Sequence, residues 1–333
     1  MPQGELAQVL REILPERDDR LVVGPQTLDD AGVVRLGTDV GLPPGVELGL
    51  VQTVDFFPPV VDDPWFYGAI AAANALSDVY AMGGRAISAL SLAGFPAGFD
   101  REWRNEILRG GTAKIAEAGA VIAGGHTVES EVQFGYAITG VVDLAHVAAN
   151  DRALVGDVVY LTKPIGMGVM TTSAKLGKIT WSDMLPAAEQ MATLNAAAAA
   201  AMLASNAHAC TDVTGFGLLG HARNVAKASG VTLELELERV PLFGDVERLA
   251  KKGWFSGGAA RGRTALADEV AVANGLAAHR VSLLFDAETS GGLLIFLAED
   301  SAAQLELELA ERQVPFARVG RCLPADGMHV RVR

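Results

Sequence analysis

Two hydrophobic periods alternate through the first half of the chain. Leu6, Val9, Leu10 and Ile13 share one face of a short helix predicted over Gln3–Ile13. Leu21–Val23, Gly32–Val34 and Leu48–Val54 are compact apolar runs between turns and read as strands. Asp62-Asp63-Pro64 suits a first helical turn, so a helix is predicted around Phe66–Tyr80, stopped by Gly83-Gly84. A strand over Ala86–Gly94, a helix over Trp103–Gly119, a strand running into a loop over Ala120–His126, and a strand over Phe134–Val142 follow. This alternation marks an α/β or α+β layer.

Around Ala148–Gly156 the pattern relaxes into polar residues, and a domain boundary is expected there, giving residues 1–155 and 156–333. The second half opens with the apolar run Val158–Leu161 and the glycine-punctuated Lys163-Pro-Ile-Gly-Met-Gly168. One long alanine-rich helix is predicted over Ala187–Asn206. Thr211–His221 leads into a helix ending at Ser229, then a strand over Thr232–Leu237. After Leu283-Leu-Phe285, Thr289-Ser-Gly-Gly292 is a turn feeding the strand Leu293–Leu297, and Ser301–Arg312 is a closing helix.

With 333 residues, half of them apolar, the chain has material for two cores. A net charge of -13 is the wrong sign for a nucleic-acid or anionic-membrane partner met through a general basic field. An anionic small substrate would need locally placed cations instead. Two cysteines, Cys210 and Cys322, with no metal-ligand spacing argue against a zinc ribbon or a disulfide framework and fit a reducing cytoplasm. No signal peptide or membrane-length apolar run is visible in the sequence.

Against this background the acidic residues in apolar surroundings stand out. Asp55 ends a strand-like run, and Asp78 sits inside the helical pattern beside Asn74 and Ser77. Thr27-Leu28-Asp29-Asp30 and Thr211-Asp212 add carboxylates at loop positions. Carboxylates without interleaved His or Cys suit a hard cation such as Mg2+, which binds through one or two carboxylates plus substrate phosphates. Read singly, each Asp serves equally as a turn or cap residue. Gly124-Gly125-His126 can bring backbone N–H groups close to a phosphate or make a plain turn. Cys210 reads as a small buried thiol.

Taken together, Asp29-Asp-Ala-Gly-Val33, Gln52-Thr-Val-Asp-Phe-Phe57, Asn74-Ala-Leu-Ser-Asp-Val-Tyr-Ala-Met-Gly-Gly84, Ala123-Gly-Gly-His-Thr127, Leu161-Thr-Lys-Pro-Ile-Gly166, Thr211–His221 and Thr289–Leu294 closely resemble the selenophosphate synthetases (selenide, water dikinases). These belong to the wider superfamily of aminoimidazole-ribonucleotide-synthetase-like ATP enzymes. The likeness runs in order from about Leu21 to Leu294. It implies a two-domain α/β (α+β) fold, pairing as a homodimer whose N-terminal sheets close a barrel. It implies ATP, Mg2+ and selenide as ligands, with selenophosphate, orthophosphate and AMP as products. By match of motif, Asp30, Asp78 and Asp212 would hold the metal. Thr27, Leu28, Asp29, Asp55, Asp78, Gly124, Gly125 and His126 would meet the nucleotide. A K+ requirement and a selenium-delivering protein are left open by the resemblance.

The chain departs from the family pattern at its start. The family's glycine-rich loop, with a Cys or selenocysteine and then a Lys, would fall ahead of Met1, and no Cys precedes Cys210. One expectation is a chain truncated at an internal Met; the other is a relative that binds nucleotide without making selenophosphate. Other ATP enzymes of the superfamily, of thiamine-phosphate-kinase or hydrogenase-maturation type, are the remaining alternative.

Overall fold

A computed structural model describes residues 18–333. The helix expected over Gln3–Ile13 lies outside the described residues. The first half builds a six-stranded sheet from β1 (Leu21–Val23), β2 (Gly32–Leu36), β3 (Leu48–Phe57), β4 (Arg85–Phe95), β5 (Val121–Glu129) and β6 (Gln133–Val142). Their order is β1-β2-β3-β6-β4-β5, antiparallel except for the parallel β4–β5 pair. Two helices cover one face: α1 (Pro64–Ala81) after β3, and α2 (Arg101–Glu117) after β4.

Helix α1 starts and stops as its sequence dictates. The Asp63 carboxylate accepts the Phe66 N–H at 2.9 Å, and Pro64 occupies the first turn, where its missing N–H costs nothing. At the other end Gly83 takes φ +76°, and the Gly83 and Gly84 N–H groups return to Tyr80 and Val79 oxygens, a Schellman closure. Every residue from Tyr67 to Ala81 is buried, so the helix is walled on all sides, by the sheet, by α2 and by the second half of the chain. Two glycines let α1 and α2 approach closely. A Cβ on Gly68 would lie 1.8 Å from the Ile107 oxygen, and one on Gly110 would lie 1.9 Å from the Trp65 oxygen.

The second half forms a seven-stranded sheet from β7 (Val158–Leu161), β8 (Ala209–Asp212), β9 (Val231–Leu235), β10 (Val270–Val272), β11 (Leu293–Leu297), β12 (Ala317–Pro324) and β13 (Val330–Val332). The order is β10-β13-β9-β12-β7-β11-β8. Between these strands lie α3 (Met167–Lys175), α4 (Trp181–Ala192), α5 (Ala196–Ala204), α6 (Gly217–Ser229), α7 (Val246–Ala250), α8 (Gly257–Ala265), α9 (Ala278–Phe285) and α10 (Ala302–Glu311). Strands β7, β8 and β11 are buried along their whole length, and β7 and β11 accordingly read as unbroken apolar runs. Among the described residues no helix is long and apolar enough to cross a membrane.

Two expectations are corrected. The alanine-rich stretch is not one helix over Ala187–Asn206 but α4 and α5, broken at Thr193–Asn195. The break frees groups that a continuous helix would consume. The Thr193 oxygen accepts Lys163 Nζ at 2.7 Å, and Asn195 Nδ2 donates to Ser77 Oγ and to the Gly291 oxygen, each at 2.8 Å. The loop expected at Gly124–His126 is instead part of β5, which continues to Glu129 past a bulge opposite Ala89–Leu90. Gly125 needs its missing Cβ here, because one would lie 2.3 Å from the Ser91 oxygen.

Candidate functional site

The carboxylates singled out in the sequence converge where the two sheets meet. Asp55 lies near the end of β3 on the face turned toward α1, and Asp78 lies on α1 facing the same strand. Thr53 Oγ1 donates to Asp78 Oδ2, and Asn74 Nδ2, one helical turn before Asp78, donates to Asp55 Oδ2 at 2.6 Å. Asp212 ends β8 in the other half of the chain, buried beside Ser77 of α1. Asp30 precedes β2, and its carboxylate spans the two halves: Oδ1 accepts Thr211 Oγ1 at 3.0 Å, and Oδ2 accepts the Asp212 N–H at 3.3 Å.

The segment ahead of Asp30 is held by a residue that the sequence reading passed over. The Asn150 N–H donates to Asp29 Oδ1 at 2.6 Å, and its Nδ2 donates to the Leu28 oxygen at 3.0 Å and the Thr27 oxygen at 3.4 Å. Leu28 takes φ +54°, a left-handed conformation that a non-glycine residue adopts only under such constraint. Thr27 Oγ1 closes the turn onto Asp29. Thr27, Leu28 and Asp29 therefore stand next to Asp30. Gly124, Gly125 and His126 do not join the group within one chain. They lie on edge strand β5, three strands from Asp55, about 14 Å at the usual strand spacing.

Burial and mutual repulsion make the cluster electrostatically expensive without a cation. Burial first, then the charges of Asp212 and Asp29, hold Asp30 well above the usual carboxylate range. Asp78 is raised by burial and then by Asp55, Asp212 and Asp30. Burial pushes Asp212 up to about 7 and Asp55 to about 6. Asp212 Oδ2 is buried with no hydrogen-bond partner, although an unmade bond to a buried charged oxygen costs at least about 1–3 kcal/mol. Ligand atoms of Asp30, Asp212 and His221 lie within 4.8 Å of one another. An orphaned carboxylate oxygen in a group of like charges fits a hard divalent cation, and the oxygen donors are those Mg2+ prefers.

One cation of the chain is buried beside this group. Lys163, just after β7, donates to the Thr193 and Ser290 oxygens at 2.7 and 3.0 Å. Burial pulls it down to about 7, against the pull of Asp212. Ser290 takes φ +50°, with its N–H held by Asn74 Oδ1 at 2.9 Å. Asn74 thus clamps Asp55 with one end of its amide and the second half of the chain with the other. Lys163, Ser290 and His221 all lie in strings that carry the family resemblance, but none stands out there as a site residue; their contacts mark them. Glu288 likewise gave no signal, yet its buried carboxylate accepts the Gly166 and Met167 N–H groups at 2.7 and 2.9 Å and seats the start of α3.

The chain matches the family models "AIR synthase related protein, N-terminal domain" over residues 28–142 and "AIR synthase related protein, C-terminal domain" over residues 155–333. It is 45% identical over 326 residues to a selenide, water dikinase of Geobacter metallireducens, covering 97% of this chain and 92% of that protein. It is 44% identical over 308 residues to a selenide, water dikinase of Caldanaerobacter subterraneus, covering 92% and 87%. Its fold is similar to AaThiL complexed with AMPPCP and TMP, with a TM-score of 0.72 at 18% identity over 99% of this chain and 93% of that one. It is also similar to the hydrogenase maturation protein HypE in complex with ATP, with a TM-score of 0.64 at 20% identity over 96% and 86%.

Proposed function

The chain belongs to the selenide, water dikinase family of AIR synthase related proteins, and from that premise we propose that it converts ATP, selenide and water to selenophosphate, orthophosphate and AMP. The observation that carries the reading is the group Asp30, Asp55, Asp78 and Asp212, with Asp78 and Asp212 buried and the other two half-buried, drawn from both halves of the chain around an unpartnered carboxylate oxygen. Asp30, Asp78 and Asp212 would hold Mg2+. Asp55 and the Thr27–Asp29 turn would flank the nucleotide.

Bound Mg2+ would offset the triphosphate charge and stabilise charge developing on the transferred phosphoryl group. The chain's own part is positioning. The Asn150 and Thr211 contacts fix the Asp29–Asp30 carboxylates, and the Asn74 amide fixes Asp55. Neither cysteine offers a thiolate: both are buried, Cys210 is raised well above its ordinary value, and burial pushes Cys322 up to about 12. Two unpaired thiols favour a cytoplasmic location. We place the domain boundary between residues 148 and 156.

A homodimer is part of the proposal. The face of the first sheet opposite α1 and α2 is apolar and open, with Val54, Phe56, Leu90 and Val128 exposed. A surface of this kind marks an association site. Phe56, Leu92 and His126 share one row of that face through the strand registers. A second copy on this face would let Gly124–His126 approach the nucleotide of its neighbour, which they do not reach within one chain.

The test is 31P NMR of ATP with Mg2+ and selenide under anaerobic conditions, with and without a Cys- and Lys-containing segment joined ahead of Met1. Selenide-dependent AMP, orthophosphate and a selenium-coupled phosphorus signal are expected with the joined segment. ADP as the end product, or absence of AMP in both arms, would contradict the reading.

A further inference from the structure

His221 lies on α6, buried, and its ring stands within 4.8 Å of carboxylate oxygens of Asp30 and Asp212. Taken by proximity alone it completes a three-ligand metal set. The hydrogen bonds argue otherwise. The Thr214 backbone N–H points at His221 Nε2 from 3.1 Å. A backbone N–H can only donate, so Nε2 must be the unprotonated acceptor, and its lone pair is already in use. The proton of the neutral ring then sits on Nδ1, which lies 3.3 Å from Thr211 Oγ1. With one lone pair of that hydroxyl occupied, its own proton is directed to the Asp30 carboxylate oxygen, 3.0 Å away. The competing acceptor, the Asp212 carbonyl at 3.1 Å, is uncharged and so the weaker partner.

We propose that His221 is a positioning residue and not a metal ligand: through Thr211 it orients the Asp30 carboxylate toward the metal that Asp30 and Asp212 share. The direction of the chain runs from the Thr214 N–H to His221 Nε2, from Nδ1–H to the Thr211 hydroxyl, and from that hydroxyl to Asp30. It joins the turn before α6 to the loop before β2, so two of the carboxylates arrive with one geometry whichever half moves. Partners behind a metal ligand fix its rotamer and basicity, and their loss typically costs about 10–100-fold in metal affinity.

The inference deepens the proposed Mg2+–nucleotide site and rests on it, so the experiment separates the two. Long-range 1H–15N NMR of the full chain with 15N-labelled histidine reads the His221 tautomer directly, with the signal assigned by its loss in His221→Asn. A neutral ring protonated at Nδ1 is expected, with no change at Nε2 when Mg2+ and a non-hydrolysable ATP analogue are added. Protonation at Nε2, or a metal-induced shift of that nitrogen, would overturn the proposal. Calorimetric titration of the same Mg2+–analogue pair then compares variants. His221→Asn keeps a donor at the Nδ1 position and should bind within about twofold of wild type. His221→Gln loses that donor and should weaken binding about tenfold. Thr211→Val should weaken it likewise, with recovery in Thr211→Ser. Equal affinity in wild type, His221→Gln and Thr211→Val would refute the relay. Failure of the wild type to bind at all would instead remove the nucleotide reading.

Discussion

Asn74→Ala is the substitution that most sharply separates a designed clasp from incidental contact. The Asn74 amide is buried and uses both ends: Nδ2 donates to Asp55 Oδ2 at 2.6 Å, and Oδ1 accepts the Ser290 N–H at 2.9 Å. Alanine leaves the buried Ser290 N–H without a partner, a loss of about 1–3 kcal/mol, and removes from the half-buried Asp55 carboxylate a bond of about 1.5–3 kcal/mol. The expected total is about 2.5–6 kcal/mol, before any strain released at Ser290. Urea unfolding followed by tryptophan fluorescence measures it, since Trp65 and Trp103 report on the first half of the chain and Trp181 and Trp254 on the second. The variant should also separate the two sets of signals, because the clasp links α1 to the loop before β11. Asn74→Asp keeps the acceptor for Ser290 but sets a carboxylate against Asp55, so its deficit should grow as pH rises. A loss below about 1 kcal/mol in Asn74→Ala would show that the amide's bonds are replaced at no cost, and the clasp argument would fail.

Other expectations follow from the same packing and charges. Asp212→Asn should stabilise the metal-free protein while weakening Mg2+–nucleotide binding at least about tenfold. Ligand oxygens within 4.8 Å repel by about 3 kcal/mol at an effective dielectric near 20, and the loss of Lys163's attraction offsets part of that. Scanning calorimetry with chelator reads the first effect, and titration calorimetry reads the second. Burial raises Asp55, Asp212 and Glu288 from ordinary values of 3.8, 3.8 and 4.5 to about 6, about 7 and about 8. Each binds its proton more tightly when folded, so the stability it contributes is full at low pH and lost as pH rises through these values. The metal-free melting temperature should therefore fall between about pH 5 and about pH 8, and saturating Mg2+–nucleotide should flatten the part due to the aspartates. Gly68→Ala would drive a methyl to 1.8 Å from the Ile107 oxygen and should lower stability by about 1–3 kcal/mol in urea unfolding.

Much of this is legible in the amino-acid sequence. Asp63 with Pro64, and Gly83-Gly84, bound helix α1 because capping is local chemistry, decided within a few residues. Asp78 was conspicuous because a carboxylate in a buried helix needs a partner. What the sequence hid depends on distant contact. Thr193–Asn195 looks helical beside its run of alanines, and it breaks because Lys163, Ser77 and Gly291 require its polar groups elsewhere. Gly124-Gly125 looks like a turn, whereas the close approach of Ser91 makes it a bulged edge strand. Asn150, Ser290 and His221 are ordinary loop and helix residues in one dimension. Their roles arise from partners 121, 216 and 10 positions away.

In the proposed site, carboxylates from both halves of the chain would hold Mg2+ against a nucleotide. Titration of a non-hydrolysable ATP analogue into wild type, Asp30→Asn and Asp212→Asn, each with Mg2+ and with chelator, tests it most directly. Binding in wild type that requires Mg2+, and that falls at least about tenfold in both variants although they lie on opposite sides of the junction, is the predicted result. Binding of equal strength with chelator, or a loss confined to one of the two variants, would contradict the account.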